Sequence, residues 1–324
     1  MRAFFSAILS PFAKTTGLAR WILVAGVTIT GCFLLFAIFA PWLAPYGFAQ
    51  AGTASGQFAK LAPPGNGHLL GTNNLEFDVW SRAIWGARTA FEVVLLSVVA
   101  SSLIGVPLGL LSGYSGGWLD RIITMVMDAI YTFPSLLLAI VFSFLLTNLV
   151  GGGVVSAAMS LTVIYIPQYF RVVRNTTISA KEATYVEAAR AIGATDGVIM
   201  RRYLFSNVIQ SVPVIGTLNA ADAIGTLAGL GFLGLGIQPT QAAEWGYDLG
   251  RAIPDASSGI WWTGIPSGLA IVLLVTGLTL VGEGLNETVN PVLRRRRLLP
   301  VVMPPRETQG RVIRPIEGPE EEQA

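Results

Sequence analysis

Few residues in this chain could make or break bonds. A single histidine, His68, and a single cysteine, Cys32, occur in 324 residues. They can form neither a zinc cluster nor an internal disulfide. No glycine-lysine phosphate loop occurs, and His68 lies in a Pro- and Gly-rich loop. The acids embedded in apolar sequence, Asp128, Asp222 and Glu283, fall on three separate stretches. A membrane-embedded enzyme would need its proton-transfer groups clustered within hydrogen-bond reach of one substrate. An acid at bilayer depth is costly and marks a route for an ion or solute. Asp222 is therefore a candidate pathway-lining residue, with a polar group satisfied by a neighbouring helix as the alternative.

A second constellation is mechanical. In KEATYVEAARAIGATDGVIMRRYLFSNVI, Thr184 and Glu187 have capping-box spacing, which starts a helix. Ala188, Ala189, Ala191 and Ile192 are small and apolar. Gly193 suits a left-handed helix stop, and Thr195 or Asp196 can cap a following helix that carries Val198, Ile199, Arg201, Arg202 and Leu204. A compact helix with a small-residue face fits a groove on a partner protein. It could equally lie on lipid as an amphipathic connector, and the residues alone leave both open.

The elements that hold these groups follow from composition. The chain is 52% hydrophobic and 12% charged, against about 25% charged in soluble domains. A mean hydropathy of +0.61 excludes a single water-soluble core. The net charge of +2 gives no case for a nucleic-acid partner. Six runs of about 20 apolar residues, enough to cross about 30 Å of hydrocarbon, lie at 21–43, 89–112, 122–149, 152–170, 212–236 and 263–287. The first is longer than the 7–15 residues usual for a signal core and reads as a retained helix. Asp128 and Pro134 interrupt the third, which predicts an oblique or kinked crossing. With the N-terminus inside, 17 of the 21 basic residues fall on the inner side and 4 outside, which places both termini in the cytoplasm.

Between the spans, 44–88 forms an outer loop whose end, VWSRAIWGAR, reads as a short interfacial helix anchored by Trp80 and Trp85. Residues 237–262 form a second outer loop, and 171–211 an inner one. Gly105 and Gly109 suit close helix packing, whereas Gly113 and Gly117 read as loop glycines. Arg294 to Arg297 would hold the last span at the anionic inner leaflet. The tail 291–324 is Pro- and charge-rich and reads as disordered and cytoplasmic, as does a short cytoplasmic segment at 1–20.

YVEAARAIGATD resembles the E-A-A-x3-G coupling signature of permease subunits in binding-protein-dependent ABC importers. HLLGTNNLEFDVWSRAIWGAR at 68–88, GVPLGLLSGYSGGWLDRIITMVMDAIYTFPSLLLAI at 105–140 and LGFLGLGIQPTQAAEWGYDL at 230–249 resemble blocks of the dipeptide, oligopeptide and nickel branch, specifically its C-type permease. Four blocks in the same order cover residues 66 to 290. The chain departs from the pattern at Asn73 (usually Asp), Glu76 (Gly) and Phe77 (Arg). Tyr203-Leu204-Phe205-Ser206 replaces a later I-x-L-P, and Leu227 stands where an acid is often found.

The resemblance implies an all-α membrane protein of six transmembrane helices over 21–290, with the type I ABC importer permease fold and both termini inside, in the bacterial inner membrane. It implies a transport subunit for di- or oligopeptides that is not itself an enzyme and binds no cofactor, with ATP and Mg on partner ATPases. A nickel chelate, an opine or glutathione is the alternative cargo. Its partners would be a homologous permease, two cytoplasmic ATPase subunits, an extracytoplasmic binding protein and membrane lipid. Glu187, Ala188, Ala189 and Gly193 would couple to the ATPase, and Asp222 would line the path. An ion-gradient-driven secondary transporter is the rival class, but the paired broken helices of two related halves are not visible here.

Overall fold

A computed structural model describes residues 18–65 and 67–289. The N-terminal 17 residues, the basic run Arg294 to Arg297 and the tail expected at 291–324 lie outside them. The elements are α1 (Leu18–Leu43), a small antiparallel hairpin of β1 (Gly52–Thr53) and β2 (Gly56–Gln57), α2 (Val79–Ser115), α3 (Gly117–Thr132), α4 (Ser135–Val150), α5 (Gly153–Lys181), α6 (Thr184–Ala191), α7 (Asp196–Phe232), α8 (Trp245–Arg251), α9 (Ile253–Ser257) and α10 (Ile265–Val289). Five of these helices are long and apolar enough to cross a membrane, and the α3–α4 pair makes a sixth if it counts as one bent span. Trp21 and Trp42 are exposed at the two ends of α1, about 30 Å apart at 1.5 Å per residue. That spacing matches the two interfacial belts that tryptophan prefers.

Lipid is as apolar as leucine, so helices associate here through close approach rather than water exclusion. α2 and α5 run parallel along a glycine seam. A Cβ on Gly105 would meet the Ile166 carbonyl at 2.7 Å, one on Gly109 the Phe170 carbonyl at 2.7 Å, and one on Gly113 the Arg174 carbonyl at 2.7 Å. Gly113 is thus not a loop residue. α2 continues to Ser115, and its third seam glycine sits against Thr177. Gly117, with φ +64°, does lie at the following turn. α5 occupies the centre, with Leu161, Tyr165, Tyr169 and Val173 buried among Val93 of α2 and Ala223, Ile224 and Leu227 of α7. α1 and α10 pack antiparallel, Gly284 against Leu23 and Gly277 against Ile29.

Two boundaries differ from the sequence reading. The supposed interfacial helix VWSRAIWGAR is the first three turns of α2. Asp78 caps α2 through Ser81 N–H at 2.7 Å, and no breaker precedes Pro107, so the helix runs on through the expected boundary near residue 89. Its polar residues are stabilised by protein contacts rather than by headgroups: Arg82 is 2% exposed, and Trp85 donates to the Tyr46 carbonyl at 3.1 Å. The expected fifth span likewise begins earlier. With Ser206 where the family pattern has proline, the backbone continues from Asp196 through a π-turn at Ile199–Leu204 and a 3-10 turn at Ile209–Ser211 into the apolar stretch. The kink expected at Pro134 is a bend of 97° between α3 and α4. α4 alone, at 16 residues, spans about 24 Å. α3 is clamped to α5 by Arg174–Asp120 at 2.5 Å and Arg171–Asp128 at 2.7 Å.

Candidate functional site

At the end of the bundle where α2 and α5 terminate, α6 forms a small satellite core. Val186 and Ala189 are buried against Ala180, Ile199 and Leu204. The capping box expected there does not form. The cap position is Ala183 and has no side-chain hydrogen bond, so Thr184 and Glu187 each lie one residue too far along. Glu187 instead sits exposed in the first turn, where its charge favours the helix dipole. The helix stop follows the sequence reading. Gly193 has φ +83°, with Gly193 N–H donating to the Arg190 carbonyl at 2.9 Å and Ala194 N–H to the Ala189 carbonyl at 3.0 Å. This pair of bonds is the Schellman pattern. Thr195 occupies the next cap position, also without a side-chain bond.

This geometry splits the alanines. Ala189, at 2% exposed, faces inward, whereas Ala188, Ala191 and Ile192 face out, Ile192 at 80%. Arg190 stacks over Tyr114, whose hydroxyl donates to Asp196, and Asn207 donates to the Tyr185 hydroxyl at 2.9 Å. The helix is therefore fixed to the ends of α2, α5 and α7.

The second feature is a cavity of about 510 Å³ at the α3–α4 elbow, lined by Tyr131, Phe133, Gln168, Asn219 and Asp222 among others. Asp222 accepts a hydrogen bond from the Tyr165 hydroxyl at 2.8 Å. The cavity and the α6 satellite core share no residue.

A third cluster, at the opposite end from α6, was not anticipated. Arg82 Nε donates to both oxygens of Asp248, at 2.8 and 2.7 Å, and its Nη1 donates to the Phe48 carbonyl at 2.8 Å. Glu244 caps α8 by accepting from Gly246 and Tyr247 N–H at 2.8 and 2.7 Å. Burial pushes its carboxyl up to about 8, outweighing those two donors. His68 Nδ1 meets Asp78 Oδ1 at 2.8 Å, with Tyr46 and Phe58 rings around it, so the lone histidine fastens a loop. The departures from the family block also find reasons. Asn73 accepts from Leu75 and Phe77 N–H, both at 2.9 Å, as an aspartate would. Glu76 holds φ +65° where the pattern has glycine, and Phe77 lies under the Arg82 guanidinium at 5.3 Å. The pairing of Arg82 with Asp248, 166 residues apart, left no local signal in the sequence. Their presence in two separate family blocks was the only hint.

A bundle of membrane-spanning helices with an acid-lined cavity and an exposed helix–turn at one end has the architecture of a transport subunit. Residues 105–295, more than half of the chain, match the family described as "Binding-protein-dependent transport system inner membrane component". The chain belongs to that family and is a multi-pass protein of the bacterial inner membrane. It is 32% identical over 271 residues to a dipeptide transport system permease protein of Alkalihalophilus pseudofirmus, covering 84% of this chain and 86% of that one. It is 36% identical over 231 residues to a glutathione transport system permease protein of Pectobacterium atrosepticum, covering 71% and 75%. A di/tripeptide transport system permease protein of Pseudomonas aeruginosa is 36% identical over 266 residues, covering 80% and 84%. The fold is also that of a solved inward-facing MetNI methionine ABC transporter chain, with a TM-score of 0.53 at 21% identity, covering 64% of this chain and 96% of that one.

Proposed function

We propose that this chain is the permease subunit of an ATP-driven importer of di- or oligopeptides. The observation that carries the reading is the rigidly seated α6, with Ile192 and Ala188 turned outward, in a chain whose relatives include dipeptide and di/tripeptide permeases. In this reading both termini and α6 are cytoplasmic, and a homologous permease faces α4, α5 and α7 to close a path that Asp222 lines. Two ATPase subunits bind ATP and Mg, so the chain itself needs no cofactor and performs no hydrolysis. One of them receives the α6 face formed by Glu187, Ala188 and Ile192, while Ala189 and Gly193 set its shape. An extracytoplasmic binding protein delivers the solute. ATPase closure moves α6 and, through the buried contacts of Val186 and Ala189, the ends of α2, α5 and α7. The pathway then shifts between two populations of states. Glutathione is the second reading for the cargo, favoured by the Pectobacterium relative.

The test is uptake into proteoliposomes of the full complex with binding protein present. Import of Ala-Ala that requires ATP and survives collapse of ion gradients supports the reading. Import by this chain alone on an ion gradient would replace it with a secondary transporter, and ATP-driven import of glutathione but not Ala-Ala would select the second cargo.

A further inference from the structure

Three observations about the elbow cavity converge on a ligand. The first is depth. Tyr165 lies 12 residues from the start of α5 and Asp222 lies 10 residues from the end of α7. At 1.5 Å per residue both sit about 15–18 Å below the same membrane face, near the middle of about 30 Å of hydrocarbon. The second is charge. Among the described residues that line the cavity, Asp222 is the one that is charged. Only its Oδ2 is engaged, by the Tyr165 hydroxyl, which leaves Oδ1 for a ligand. The third is an unsatisfied donor. Asn219, one turn before Asp222 on α7, lines the same cavity and is 2% exposed, yet its amide nitrogen has no acceptor. Tyr169, whose hydroxyl is likewise without a partner, is its neighbour across the α5–α7 seam, close enough for the Asn219 amide to act on it. A buried polar group without a partner is costly and calls for an explanation, and so does a carboxylate at this depth.

We infer that the elbow cavity is a recognition subsite for a protonated amine with a carbonyl close by, which in a peptide is the N-terminal residue. The ammonium group sits against Asp222, which Tyr165 holds in place by donating to its second oxygen. The carbonyl accepts from Asn219. Phe133, at the elbow itself, gives the ammonium an aromatic neighbour of the kind cations favour, whereas the Tyr131 ring already carries the Arg171 guanidinium at 3.9 Å, itself paired with Asp128. The cavity of about 510 Å³ lies within the range of small-molecule sites. The inference deepens the peptide-importer reading and rests on it for the ligand, while the preference for cations is a property of the cavity alone. The permease would then sample its cargo within the membrane, in addition to any selection made outside.

The experiment places a thiol in the cavity and asks which charge reaches it. Leu218 lines the cavity and is half exposed, so Leu218→Cys in a Cys32→Ser background is labelled in the assembled complex. The reagents are a cationic trimethylammonium methanethiosulfonate and an anionic sulfonate one. Adding Asp222→Asn should lower the cation-to-anion rate ratio about tenfold, as the loss of a nearby charge in a partly desolvated site requires, with complex yield unchanged. With Asp222 intact, Ala-Ala should slow cationic labelling and N-acetyl-Ala-Ala should not. An unchanged ratio, or equal protection by both peptides, would overturn the inference. Loss of assembly in Asp222→Asn would assign the acid to packing and overturn it too. A complex that imports no peptide yet shows the drop in ratio would retain the cation subsite and reject the peptide-importer reading.

Discussion

The two ends of the molecule satisfy their side chains in opposite ways. At one end the loops at 44–78 and 233–264 fold back on the helices and bury polar groups against partners in the same chain, with Arg82 on Asp248, His68 on Asp78 and Glu244 on the N–H groups that start α8. At the other end, α6 keeps one face in its satellite core and turns Ile192, Ala188 and Ala191 outward. An end completed by its own chain should respond to mutation through stability, and an end completed by another molecule through association.

The largest effect belongs to the closed end. Asp248→Ala leaves Arg82 buried without its carboxylate, a change that costs about 3–5 kcal/mol. It should show as a large fall in the unfolding temperature of the purified chain and in complex yield. Near-normal yield would mean that the pair is dispensable and the two ends are alike.

A pH effect at the same end comes next. Glu244 is held up at about 8 from an ordinary 4.5, so between those values the folded state keeps a proton that the unfolded state releases. The stability this group contributes is full below pH 4.5 and is lost as pH rises to about 8, at roughly 1.4 kcal/mol per unit at most. Thermal unfolding between pH 5 and 8 should show that decline, and Glu244→Gln should flatten it. A stability that rises over this window through Glu244 would reverse the assignment.

Gly193→Val moves the comparison to the open end. A β-branched residue at φ +83° costs about 1–3 kcal/mol locally. It touches no helix seam, so the helices should stay inserted and assembled while ATPase association falls. The smallest effect is a gain. Glu76→Gly relieves a left-handed glutamate worth about 1 kcal/mol, offset in part by the lost contact of Lys60 with Glu76 at 3.7 Å. Unfolding temperature should rise by a few degrees at most; a clear fall would show that the Lys60 contact outweighs the strain.

How much of this the sequence carried depends on whether the signal was local. Apolar run length located the helices, and Pro134 marked the elbow, because both properties belong to contiguous residues. Gly193 was legible because a helix stop is made within six residues. Helix continuity was not: the sequence marks a helix beginning at Val79, but its running on into the second span as one α2 rests on the burial of Arg82 by Asp248, 166 residues away. Nor was the inward turn of Ala189, since Ala188 and Ala189 are chemically identical and only the packing of Ile199 and Leu204 against one of them separates their roles. Asp222 stood out as an acid in apolar sequence, but Tyr165 and Asn219, which give it a geometry, look like ordinary helix residues until α5 and α7 are packed together.

The central claim, that the outward face of α6 is where ATP hydrolysis by partner subunits couples to this chain, is tested most directly by Ala188→Arg. The substitution adds bulk and charge to an exposed position and leaves the satellite core intact. The measurement is solute-stimulated ATP turnover of the reconstituted complex with binding protein present, alongside co-purification of the ATPase subunits. The account predicts normal yield of the permease pair with turnover or ATPase association lost. Full, solute-stimulated turnover with the ATPases bound would contradict it.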